Sequence, residues 1–138
     1  MKPVLLDTGP IVALIDSSDS FHKVCVESMS SLAVPLVTCE SVIAESCYLL
    51  RKVAGAAEAI LENVASGVFQ IPLALPSYAR DVQRTIAKYR DREIDLADAC
   101  LIHLANEFKT GVILTLDADF RVYRWGKNNP FELVVSLN

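Results

Sequence analysis

The sequence predicts an α/β domain with a mainly parallel sheet and helices on both faces. Three observations predict it. Short apolar runs rich in Val, Ile and Leu alternate with longer segments of helical periodicity. The 138 residues are 52% hydrophobic, enough to bury one sizeable core. No repeat, low-complexity stretch or linker divides the chain, so residues 1–138 are expected to form a single domain.

The elements follow in order. Residues 3–7 are apolar and β-like. Thr8-Gly9-Pro10 reads as a turn, and Ile11 to Ile15 as a short helix. Ser18-Asp19-Ser20 caps a helix over roughly 21–32. Pro35 to Cys39 is a short strand, and Ser41 or Glu40 opens a helix reaching about Ala54, where Gly55 stops it. A third helix runs from about Ala56 to Ser66 and ends at Gly67. Val68 to Ile71 is a strand. Pro76-Ser77 starts a long helix to about Tyr89, and residues 94–108 form another. Gly111 leads into a strand over 112–116, a short helix covers 118–123, and residues 132–136 form the last strand.

Composition limits the function. The net charge is −4 and the pI about 5.1, which taken alone argues against a nucleic-acid partner. That veto is weak if an acidic pocket is neutralised by divalent cations. No apolar run approaches a membrane span. The start, Met1-Lys2-Pro3-Val4, lacks the form of a signal peptide because Asp7 interrupts its apolar stretch, so a cytoplasmic location is expected. Cys25, Cys39, Cys47 and Cys100 form no C-x-x-C pair, and there are only two histidines, His22 and His103. That disfavours zinc and suits reduced core thiols.

Four acids stand where an apolar chain has little structural reason to put them. Asp7 ends Val4-Leu5-Leu6, and Asp117 ends Val112-Ile113-Leu114-Thr115-Leu116. Glu45 and Asp98 interrupt helices rich in Val, Ile, Leu and Ala. Buried carboxylates are rare unless paired or holding a metal. Ligands of parallel sheets bind outside the carboxyl ends of the strands, where these four can converge.

Each acid also has an ordinary explanation. Asp7 reads equally well as a helix cap. Glu45 taken alone is better read as solvent-facing. Asp95 and Asp98 share a helix face and both suit a helix N-terminus; Asp95 suits the cap better, while Asp98 precedes Leu101 and Ile102 on an inward face. One of Asp117 and Asp119 orders the turn and the other is free for a metal, with Asp117 preferred and Asp119 secondary. Jointly the four suggest an oxygen-lined site for Mg²⁺ or Mn²⁺. One or two such ions could serve phosphodiester hydrolysis.

Leu6-Asp7-Thr8-Gly9-Pro10-Ile11-Val12-Ala13-Leu14, Glu45 within a helix, Asp95-Leu96-Ala97-Asp98-Ala99, and Leu114-Thr115-Leu116-Asp117-Ala118-Asp119-Phe120 resemble the PIN-domain ribonucleases, which include VapC-type toxins of toxin–antitoxin pairs. The resemblance covers essentially the whole chain. It implies a three-layer α/β/α sandwich and an Mg²⁺- or Mn²⁺-dependent endoribonuclease. It maps the catalytic acids onto Asp7, Glu45, Asp98 and Asp117, with Asp7, Asp98 and Asp117 holding metal. Glu45 would orient or deprotonate the attacking water, and Thr8 and Thr115 would orient a ligand or water. Products with 5′-phosphate and 3′-hydroxyl ends, a homodimer and a cognate antitoxin are implied as well.

RNA also needs cations. Arg80, Arg84 and Lys88 recur every four residues, followed by Arg90 and Arg92. A solvated helix face explains that stripe equally well. Arg121, Arg124 and Lys127 lie nearer the acids and are the candidate RNA-binding group. Tyr123 and Trp125 could stack on a base, although a single Trp is more often core. His103 is five residues past Asp98, off its helix face.

The main alternative is a housekeeping RNA-processing nuclease of the same fold; a non-catalytic nucleic-acid-binding module ranks low, because all four acids are retained. A phosphatase-like or receiver-like α/β domain also ranks low, because Gly9 stands where such a phosphatase would want a second Asp.

Overall fold

The computed structural model describes residues 2–137. Its centre is a five-stranded sheet of β1 (Val4–Leu6), β2 (Leu36–Val37), β3 (Phe69–Gln70), β4 (Val112–Leu114) and β7 (Glu132–Leu133). Their order is β3-β2-β1-β4-β7, and all four pairings are parallel. β1 sits in the middle, with Leu5 opposite Val37 on one side and Ile113 on the other. Leu5, Leu6, Ile113 and Leu114 are fully buried. Central strands covered on both faces read as unbroken apolar runs, which is why β1 and β4 are plain in the sequence.

Among the described residues, six α-helices flank this sheet in an α/β/α arrangement: α1 (Thr8–Ile15), α2 (His22–Ser31), α3 (Glu40–Leu49), α4 (Ala56–Ala65), α5 (Ala79–Lys88) and α6 (Leu96–Phe108). α1 packs on α2, α3 and α4, while α6 packs on α5, α3 and β1. Residues 97–105 of α6 are all buried, so this helix has no solvent face over that stretch. Among the described residues, no helix is long and apolar enough to cross a membrane.

Several boundaries differ from the sequence expectation. Thr8-Gly9-Pro10 is the first turn of α1 rather than a separate turn. Pro10 is its third residue, where a missing N–H costs nothing because the first four amides have no intrahelical acceptor. α3 ends at Leu49, not near Ala54, as the chain tightens into turns that bury Leu50. The long helix expected from Pro76 is broken at Tyr78 into a 3-10 turn (Leu75–Ser77) and α5. Tyr78 turns inward there and stacks on His103, with ring centroids 4.5 Å apart. The short helix after β4 is a 3-10 turn (Ala118–Arg121).

The hairpin of β5 (Arg124–Trp125) and β6 (Asn129–Pro130) has no counterpart in the sequence expectation. It lays Trp125 across the start of β4. A Cβ on Gly111 would stand 2.0 Å from Trp125 Nε1, so only glycine fits at that crossing.

Candidate active site

Sheet order decides where the acids meet. The chain steps outward from β1 through β2 to β3, then crosses to the other side of β1 to form β4. The carboxyl ends of β1 and β4 therefore border the reversal of strand order, where open α/β sheets bind ligands. Asp7 follows β1 directly, and Asp117 lies three residues beyond β4. Gly9 lets them close up. A Cβ there would sit 3.1 Å from the Leu116 side chain, close enough that Leu116 would have to shift by a few tenths of an ångström.

Asp7 is both cap and site residue. Its Oδ1 accepts the Thr8 N–H at 2.8 Å, and its Oδ2 accepts the Thr115 hydroxyl at 2.7 Å. The carboxyl is buried, and burial pushes its pKa up to about 6 against the pull of those two bonds; the charges of Asp117 and Glu45 add to the rise.

Asp98 is the third residue of α6, with its N–H held by the capping Asp95 at 2.8 Å. The expected division of labour between these two acids is what the helix shows. Because α6 is buried here, Asp98 is only 6% exposed. Desolvation, then the charges of Asp7, Asp95 and Asp117, raise its pKa to about 8. The Tyr123 hydroxyl, 3.4 Å from Oδ2, opposes that rise. Tyr123 itself is a buried ring packed edge-on against Tyr89 and Phe120, not a platform for a base.

Asp117 caps the 3-10 turn. Its Oδ1 accepts the Asp119 N–H at 2.9 Å, and its own N–H donates to the Thr115 hydroxyl oxygen at 3.0 Å. Asp119 orients Asp117 through its backbone, while its side chain turns to Arg92 at 3.1 Å. That partner was not legible in the sequence, where Arg92 and Asp119 stand 27 residues apart.

One oxygen from each of Asp7, Asp98 and Asp117 lies within 4.8 Å of the others. Glu45 is not in that trio, and its side chain is solvent-exposed, as its lone reading suggested. It nonetheless faces the same space. Its Oε1 accepts the Thr8 hydroxyl at 2.5 Å, which ties α3 to the start of α1. A cavity of about 380 Å³ opens over all four acids, with Thr8, Asp95 and Leu116 in its wall.

The donor set is all oxygen, without His or Cys, which suits a hard divalent cation rather than zinc. Two buried carboxylates with raised pKa values fit the same conclusion. A bound cation would offset the repulsion and desolvation that raise them.

The candidate cations fall differently. Arg124 spends Nη1 on the carbonyls of Arg121, Val122 and Tyr123, and its N–H donates to the Tyr89 hydroxyl at 2.9 Å. Arg121 binds the Leu137 carbonyl. Lys127 is exposed in the turn of the β5–β6 hairpin. None of the three lines the acid cavity. On α5, Arg80, Arg84 and Lys88 are exposed, with Arg84 paired to Asp81. His103 is taken up by Tyr78 and stands 3.9 Å from Asp81, and His22 donates from Nδ1 to the Ala13 carbonyl at 2.7 Å.

With this geometry in view, the likeness to known proteins is specific. The PIN domain family matches residues 4–126. Ribonuclease VapC26 of Mycobacterium tuberculosis is 32% identical over 116 residues, 83% of this chain and 86% of that protein. The crystal structure of Mycobacterium tuberculosis VapC20, described as a sarcin–ricin loop cleaving toxin, superposes with a TM-score of 0.80 at 20% identity. That match covers 92% of this chain and 99% of the other, and at such identity it speaks for the fold.

Proposed function

The chain belongs to the PIN-domain family, and from that membership and the acid geometry we propose that it is a single-domain, divalent-metal-dependent endoribonuclease, the toxin of a toxin–antitoxin pair. The observation that carries the chemistry is the approach of Asp7, Asp98 and Asp117 oxygens to within 4.8 Å of one another. The likeness to Ribonuclease VapC26 carries the substrate class.

Asp7, Asp98 and Asp117 would hold Mg²⁺ or Mn²⁺, which when bound lowers the pKa of water and offsets charge developing on the phosphate. The protein's own groups do the rest. Thr115 and the Thr8 N–H hold the two oxygens of Asp7. Asp95 fixes the first turn of α6 and with it Asp98. Thr8 grips Glu45 by Oε1, leaving Oε2 as the atom to take a proton from the attacking water. The products carry 5′-phosphate and 3′-hydroxyl ends.

Arg121 and Lys127, on the segment that follows the Asp117 turn, are the proposed RNA-facing cations, with Arg124 holding the carbonyls of Arg121 and Val122. A cognate antitoxin protein, a homodimer and a cytoplasmic location complete the reading. The test is incubation of the full chain with structured and single-stranded RNA in Mg²⁺ or Mn²⁺, with and without EDTA. The sarcin–ricin loop cut by the neighbouring toxin is the first RNA to offer. Metal-dependent internal cuts with 5′-phosphate ends are expected. Cuts that persist in EDTA, or that release 2′,3′-cyclic phosphates, would contradict the reading.

A further inference from the structure

A second depression abuts the acid cavity. It is a groove of about 330 Å³ between α3 and the start of α6, lined by Ser41, Ala44, Glu45, Asp95, Leu96 and Ala97. Glu45 and Asp95 are common to the walls of both spaces, so the groove leads straight out of the site that would cut the phosphate. Its volume is at the low end of ligand pockets, roughly 300–1,000 Å³. That suits one flat group rather than a helix.

The lining has two characters. Ala44, Leu96 and Ala97 give an apolar floor, and Leu96 is 43% exposed although it opens an otherwise buried helix. Around this floor stand two carboxylates. Glu45 uses Oε1 for Thr8 and Asp95 uses Oδ1 for the Asp98 N–H. Among the described residues, Glu45 Oε2 and Asp95 Oδ2 have no hydrogen-bond donor; Glu45 Oε2 is the atom assigned to the attacking water, so Asp95 Oδ2 is the acceptor left for a ligand in the groove. A carboxylate only accepts, so a ligand that hydrogen-bonds at this rim does so through its own N–H or O–H donors.

Resting on the nuclease reading, we propose that this groove is a subsite for one unpaired nucleotide flanking the cut phosphate, and that it selects a base with an exocyclic amino group. Unpaired bases splayed out of a strand present an apolar face and a polar edge together. Adenine, cytosine and guanine bring amino donors to that edge, as when Asp or Glu reads cytosine N4. Uracil offers only its N3–H, set between two carbonyl oxygens that a carboxylate repels. Farther along α3, Tyr48 follows Ala44 by one turn, and the Arg51 guanidinium lies 4.1 Å over its ring. That sets a positive charge just past the end of α3, outside the groove itself.

The test is end-sequencing of a random-sequence RNA pool cut by the full chain in Mn²⁺. Wild type is compared with Ala44→Leu, which fills the groove, and Leu96→Ala, which removes part of its floor. At one position beside the cut, amino-bearing bases are expected over uracil by roughly fivefold or more. Both substitutions should bring that ratio toward the pool's own. No preference in the wild type, or the same preference in all three proteins, overturns the subsite.

Methyl NMR of Ala44 and Leu96 during titration with hexamer RNA separates the two claims. Shifts at both methyls without any cutting keep the groove and remove the nuclease reading. Cutting with both methyls unmoved removes the groove and keeps the nuclease. If RNA leaves the methyls unmoved and Ala44→Leu changes the sedimentation of the chain, the groove is a protein interface and the proposal falls.

Discussion

The Thr115 hydroxyl donates to Asp7 Oδ2 at 2.7 Å, joining residues 108 positions apart in sequence. The Thr115 hydroxyl oxygen in turn accepts the Asp117 N–H at 3.0 Å. One fully buried side chain therefore sets two of the three clustered acids at once. Outer partners of this kind commonly tune metal affinity ~10–100-fold.

Thr115→Val keeps the shape and deletes the hydroxyl. Asp7 loses a donor and the Asp117 N–H loses its acceptor. Divalent-metal affinity is expected to fall by ~10–100-fold, and the fold to lose about 1–3 kcal/mol. Calorimetric metal titration with a denaturant melt checks both. A variant that binds metal like wild type would show that Thr115 does not organise the cluster.

Stability without metal should fall as pH rises. Asp7 titrates near 6 and Asp98 near 8, both raised by burial above the usual carboxylate value of about 3.8. The folded state thus binds these protons more tightly than the unfolded chain. Their stabilising contribution is complete below about pH 4 and lost as pH climbs through 6 and then 8. Added Mg²⁺ should therefore raise the melting temperature more at pH 8 than at pH 5.5. A thermal-shift grid of pH against metal reads this, and an equal effect of Mg²⁺ at both values would contradict it.

Asp98→Asn removes a desolvated acid whose charge is disfavoured by burial and by Asp7, Asp95 and Asp117. At pH 8 without metal the variant should melt at a higher temperature than wild type, by a few degrees at most. The gain from added metal should disappear. Calorimetry in chelator and then in Mg²⁺ measures both arms, and a variant less stable than wild type in chelator would contradict the first.

Surface charge gives a separate expectation. Arg121→Glu with Lys127→Glu should weaken RNA binding and flatten its salt dependence, by a slope change of about one for each phosphate the protein no longer neutralises. Arg124 is left alone because its guanidinium holds three carbonyls of the preceding turn. Anisotropy titrations at several salt concentrations decide it, and an unchanged slope would place RNA elsewhere.

How much of this the sequence disclosed follows from what each residue does. Asp7 and Asp117 were legible because a carboxylate closing a buried strand is costly without a partner. Asp95 and Asp98 separated correctly, since a cap and an inward-facing acid three residues apart differ in their apolar neighbours. Glu45 was not legible by itself: it is exposed, and only the Thr8 hydroxyl shows which way it points. The Arg92–Asp119 pair and the Tyr123–Asp98 contact arise from tertiary packing and left no local mark. The β5–β6 hairpin was missed because its strands have two residues each, although Gly126-Lys127-Asn128 is a turn signal. Gly9-Pro10 misled in the opposite direction, since helix breakers are harmless within a first turn.

The central claim is that Asp7, Asp98 and Asp117 form one metal-holding site that cuts RNA. Its most direct measurement is the RNA cleavage rate against Mn²⁺ concentration for wild type and Asp98→Asn, with circular dichroism confirming both are folded. The account predicts a saturable, chelator-sensitive rate in wild type. In the variant the loss should exceed the ~10–100-fold typical of outer-sphere partners. A folded variant that cuts with the same Mn²⁺ dependence would contradict it.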